Sequence, residues 1–117
     1  MFPETAYGLC AGRHQIPVRG YIFNEVKDVL DFTALNNVAF DFVQANCNIR
    51  THFGAGIAQV DYTDVEQAIG DHLDVVVTGL TACTTAVMWA CACNGVPLAL
   101  WHYDRETGDY VPQHFRF

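Results

Sequence analysis

Residues 73–110, LDVVVTGLTACTTAVMWACACNGVPLALWHYDRETGDY, constrain the fold more than any other part of the chain. Val75, Val76 and Val77 are consecutive β-branched residues, the composition of a strand buried on both faces, as in a parallel sheet. Thr78-Gly79 breaks the run and a helix begins at Leu80 or Thr81. Asn94-Gly95 ends that helix, because glycine supplies the left-handed residue that closes a last turn. Residues 97–103 read as a second strand, 104–109 as a hairpin turn around Gly108, and 110–117 as a final antiparallel strand. Two strands joined by a helix within one sheet cross over right-handed in nearly every protein, so 73–103 is expected to form a parallel βαβ unit. The expected class is α/β: a mainly parallel sheet flanked by helices, with a C-terminal antiparallel hairpin.

The rest of the chain fits around that unit. With 117 residues, 51% of them hydrophobic, there is material for one domain, 1–117, with a real core. Residues 7–11 are short and apolar and meet a break at Gly12-Arg13-His14, which predicts a first strand ending in a polar loop. Residues 16–23 contain Pro17 and suit an edge strand or an extended connection. From Asp31, a suitable N-cap, the apolar residues Phe32, Leu35, Val38, Ala39, Phe42 and Val43 recur at three and four, the period of a helix with one buried stripe. That helix should fade at Asn46-Cys47-Asn48. A short strand over 49–53 follows, then Gly54-Ala55-Gly56. Thr63 and Glu66 make a capping box, and with Gly70 they predict a short helix over 63–70.

Composition excludes several classes of function. There is no run of 18 apolar residues, and the N-terminal MFPETAYGLC carries Glu4 and lacks a signal-peptide pattern. A cytoplasmic protein without membrane contact is expected. The five cysteines are odd in number, and Cys83, Cys91 and Cys93 fall in one apolar helix, where cysteine acts as a small core residue. Cys91 and Cys93 lie two apart and point in different directions, so neither a metal site nor a cofactor is expected. Six Lys and Arg against thirteen Asp and Glu give a formal net charge of −7, which argues against a partner made of long nucleic acid. A small anion remains compatible, since backbone N–H groups and two or three cations suffice to hold it. Residues 82–93 include no charge at all, and a helix apolar all round needs cover on its second side. A second copy of the chain is the expected cover, with Ala86, Met88, Trp89 and Cys93 at the homodimer interface.

In a parallel sheet, ligands bind outside the carboxyl ends of the strands. Strand 73–77 brings Thr78, Gly79, Leu80 and Thr81 to that edge. Strand 98–103 brings His102, Tyr103 and Asp104, and the first strand, if parallel, brings Gly12, Arg13 and His14. Thr78 and Thr81 serve equally as plain helix caps. Gly79 lets a ligand approach the backbone, where N–H groups opening a helix favour negative charge. Arg13 is suited to a phosphate, and His14 or His102 to proton transfer as acid or base. Residues 104–109 are also an ordinary turn sequence. His52, His72 and His114 have no partner at ligand spacing and read as surface residues. No P-loop, Gly-x-Gly-x-x-Gly, HExxH or Ser-His-Asp pattern is present.

The series of apolar strand, Thr78-Gly79-Leu80-Thr81, small-residue helix, Gly95, apolar strand, Tyr103-Asp104 and Thr107-Gly108 resembles the CARF domains, Rossmann-like modules of CRISPR defence. The resemblance covers residues 73–110. Many of those domains carry Thr-Gly-Gly-Thr-Lys in the loop; here Leu80 replaces the second glycine and Ala82 stands in place of the lysine. It implies a Rossmann-like fold and a cyclic oligoadenylate bound across a homodimer interface. The function expected from residues and resemblance together is a small homodimeric binder of a nucleotide second messenger, which it sequesters or cleaves in an antiviral role. The rival expectation is an acidic interaction protein, without catalysis, that inhibits a protein partner.

Overall fold

The computed structural model of the protein describes residues 1–12, 16–47 and 72–117. Among them the elements run β1 (Tyr7–Cys10), β2 (Tyr21–Phe23), α1 (Phe32–Asn46), β3 (Leu73–Val76), α2 (Thr81–Asn94), β4 (Leu98–Asp104) and β5 (Asp109–Phe115). The strands form one sheet in the order β2-β1-β3-β4-β5. Its first four strands are parallel, with Gly8 beside Tyr21, Tyr7 beside Val75, and Val75 beside Leu100. β5 returns antiparallel to β4, from Asp109 opposite Asp104 to Phe115 opposite Leu98. The βαβ unit and the hairpin are therefore present where the sequence predicts them. The strand expected over 49–53 and the helix expected over 63–70 lie outside the described residues.

Asp31 caps α1, its Oδ1 accepting from the Ala34 N–H at 3.2 Å. The predicted stripe of that helix divides. Leu35, Ala39 and Val43 are buried, one turn apart each time, while Phe32 and Val38 are 55% and 43% exposed. α2 buries Cys83, Ala86, Val87, Ala90 and Cys91. Small side chains along α2 let α1 approach it closely, and the two helices pack extensively on each other. Phe40 of α1 lies tilted over Trp89 at 5.6 Å. At the far end Gln44 Nε2 donates to Asn94 Oδ1 at 3.4 Å, and buried Asn94 donates through Nδ2 to the Ala90 carbonyl at 2.7 Å. Gly95, at φ 64°, closes α2 in the left-handed conformation that the sequence predicts. Ala86, expected at a subunit interface, is 2% exposed in the single chain and belongs to its own core.

Both described helices share one face of the sheet. Leu73 and Val75 of β3 and Leu98 and Leu100 of β4 join the helices' buried residues in one cluster. The opposite face carries Val76 with Phe2 and Ala6, against which Ile16, Val18, Trp101 and Tyr110 pack. Of the expected flanking helices, then, the described ones stand together. The second face is covered by the N-terminal segment and by extended chain ahead of β2, where Pro17 and Gly20 disfavour a helix. Tyr21 crosses Gly8, its strand neighbour, so closely that a Cβ on Gly8 would lie 2.5 Å from the ring.

The second face also buries a carboxylate. Asp74 is 6% exposed; its Oδ1 accepts from Trp101 Nε1 at 3.0 Å and its Oδ2 lies 2.9 Å from His72 Nε2. The side chain of His72, read from sequence as a surface residue, is 26% exposed. β5 forms one edge of the sheet and places Pro112 opposite Trp101, a residue with no N–H in a position that edges tolerate.

Candidate functional site

Chain direction across the sheet reverses between β1 and β3: β2 lies to one side of β1, and β3 and β4 to the other. In open α/β sheets such a reversal marks the edge, at the carboxyl ends of the two central strands, where ligands bind. Gly12 follows β1 there with φ 78°, and Gly79 follows β3 with φ 98°. Both are in the left-handed region that favours glycine. A Cβ on Gly12 would meet nothing within 4 Å, so its backbone angle, not crowding, calls for glycine.

Thr78 leads from β3 into this edge. It is 6% exposed, and its hydroxyl oxygen is closed off from solvent yet has no hydrogen-bond partner among the described residues. An unpaired buried hydroxyl of this kind costs a folded protein about 1–3 kcal/mol. The helix beyond it opens without a side-chain cap. Leu80 is the N-cap, and no acidic residue stands in the first turn. Neither Thr78 nor Thr81 acts as the cap that the sequence equally allowed. The hydroxyls of the next turn are used internally instead, with Thr84 donating to the Leu80 carbonyl and Thr85 to those of Thr81 and Ala82. The positive end of α2 is thus met by no charge of its own helix.

β4 runs past its last pairing with β3, Val76 beside Trp101, and carries three of the predicted site residues onward. They do not converge. Strand alternation places His102 on the helix-bearing face with Leu98 and Leu100, and Tyr103 on the opposite one. His102 Nε2 is 2.9 Å from Gln113 Oε1. The Tyr103 ring stands 5.3 Å from Tyr110, edge to face. Asp104 closes the turn: Oδ1 accepts from the Glu106 N–H, Oδ2 from the Thr107 hydroxyl, and the carbonyl from the Gly108 N–H at 2.9 Å. Parallel pairing of β1 and β3 therefore leaves Gly12, Thr78, Gly79, Leu80 and Thr81 at the same edge of the sheet, with β4 next to β3. Arg13 and His14 lie outside the described residues.

Two features escaped sequence reasoning. That Thr78 is buried without a partner depends on packing that no local signal reports. Asp74, an acid within the run LDVVV, was the visible sign of a buried polar contact, but its partner Trp101 is 27 positions away. Among the described residues no three His, Cys, Asp or Glu side chains stand together as a metal would require. Burial pushes the Cys47 thiol up to about 11. Burial, and then the neighbouring Cys47, pushes Cys91 up to about 12, so both stay protonated and unreactive at neutral pH. No helix among the described residues is long and apolar enough to cross a membrane. No family model, curated protein or solved structure matches the chain.

Proposed function

We propose that this chain is a Rossmann-like, homodimeric binder of a small phosphate-bearing ligand, a nucleotide second messenger of the cyclic oligoadenylate class. The observation that carries the reading is the buried, partnerless Thr78 hydroxyl at the mouth of an uncapped helix. Once the atoms that close Thr78 off from solvent move aside, a phosphate oxygen there would satisfy the hydroxyl and accept from the amides opening α2. Gly12 and Gly79 shape the two turns at this edge, and Arg13, next in sequence, would supply the cation. The oligonucleotide class rests on the resemblance of residues 73–110 to CARF domains. Trp89, 45% exposed, and exposed Cys93 offer the dimer contact.

Sequestration is favoured over cleavage. The imidazole of His102 is engaged by Gln113, and it projects from the face opposite to Tyr103. Incubation with cyclic di-, tri-, tetra- and hexaadenylates, read by thermal shift and by chromatography of the ligand, tests the reading. A raised melting temperature with intact ligand is the expected result, since ligand at a hundred times its Kd adds about 2.7 kcal/mol. Disappearance of the ligand would make the protein a nuclease. No shift with any of them, or with inorganic phosphate, would overturn the proposal and leave the acidic interaction protein as the better account.

A further inference from the structure

We infer that Tyr103 is a stacking shelf for an aromatic base, so that the group attached to the bound phosphate is a nucleobase and is recognised on the face of the sheet away from the helices. This rests on the phosphate reading of the Thr78 edge and adds the part of the ligand beyond the phosphate. Thr78 and Tyr103 each stand two residues past the same parallel pair, Val76 beside Trp101. Tyr103 is still within β4 there, about 7 Å beyond the pair at about 3.3 Å per residue, whereas Thr78 has already left β3, which ends at Val76. Tyr103 is 55% exposed, while its cross-strand partner Tyr110 packs against a buried cluster. It is also flanked on one side by its cross-strand neighbour. Tyr110 meets it edge to face at 5.3 Å, and Phe2 meets Tyr110 the same way at 4.9 Å, with ring planes 88° apart. A ring flanked on one side and open on the other loses little freedom when a flat ligand lies on it.

The charge balance points the same way. With thirteen Asp and Glu against six Lys and Arg, the chain gains little from long-range attraction of a phosphate, and a neutral contact adds affinity that net charge does not. The nearest carboxylate in sequence, Asp104, is occupied by its own turn and leaves the ring uncontested. Stacking on a tyrosine is tolerant of base identity, so the shelf reports the presence of a base, not which one.

Titration calorimetry with inorganic phosphate, ribose 5-phosphate and adenosine 5′-monophosphate separates the contributions. The wild-type protein should bind the monophosphate about tenfold more tightly than ribose 5-phosphate, the range expected for one stacked base. Tyr103→Ala should remove that preference and leave ribose 5-phosphate unchanged, whereas Tyr103→Phe should keep it. Equal affinity of the wild type for both sugars' phosphates, or a preference that survives Tyr103→Ala, overturns the shelf and leaves the phosphate site standing. Equal weakening of all three probes by Tyr103→Ala, with an unchanged melting curve, overturns it too. Failure of the wild type to bind any probe removes the phosphate site and the shelf together.

Discussion

Thr78→Val is the most direct probe of the site. The replacement keeps the shape and the stiff β-branched χ1 of threonine and deletes only the hydroxyl, which is buried and bonded to nothing among the described residues. Removing an unsatisfied buried hydroxyl recovers part of its penalty of about 1–3 kcal/mol, and a gain of about 1 kcal/mol is the conservative figure. Unfolding entropy of about 2.1 cal/mol/K per residue amounts to about 0.25 kcal/mol/K over 117 residues. One kilocalorie then corresponds to a rise in melting temperature of about 4 °C. The variant should therefore be more stable than the wild type without ligand, by calorimetry or circular dichroism. In the presence of inorganic phosphate the order should narrow or invert, because only the wild type gains the hydroxyl contact. A variant that melts several degrees lower in plain buffer would mean that the hydroxyl is already satisfied in the ligand-free protein. That result would refute the reasoning from its first step.

Other perturbations test the frame that holds the site. Gly8→Ala forces a Cβ to within 2.5 Å of the Tyr21 ring and should cost about 1–3 kcal/mol in denaturant melts, with Tyr21→Ala in the same chain restoring part of the loss. Trp101→Phe deprives the buried Asp74 Oδ1 of its donor and should cost about 1.5–3 kcal/mol, measured the same way. The Met1 ammonium, 2.7 Å from Asp109, and then the Tyr110 N–H hold the Asp109 carboxyl below its usual value. A depressed folded value gives stability that is present above the unfolded pKa and lost as pH falls through the folded one, so Asp109→Asn should flatten part of the acid melting slope, less so in high salt. Thiol titration at pH 8 should modify exposed Cys93 first, with Cys47 and Cys91 reacting only after urea is added; early modification of Cys91 would contradict its burial.

The second half of the chain was legible because its signals are local. Three valines in a row, Thr78-Gly79, and Asn94-Gly95 each mark a boundary by backbone preference alone, and β3, α2 and β4 follow them. Long-range partners were not legible. An uncharged helix needs cover, but composition does not say whose, and Ala86 proves to be covered from within the chain. The same holds for Asp74, which only the completed sheet brings to Trp101. Within the site, Thr78, Gly79, Leu80 and Thr81 could be named from the strand-to-helix junction. His102 and Tyr103 were grouped because one strand carries both to the carboxyl edge of the sheet, although the two-residue period of a strand sends them to opposite faces.

Pro112 limits how copies of this chain can meet. A strand arriving along the outer rim of β5 would find one rung of its ladder without a hydrogen to offer, next to a side chain ring that cannot flatten into the pleat. Growth of the sheet from molecule to molecule is disfavoured on that side.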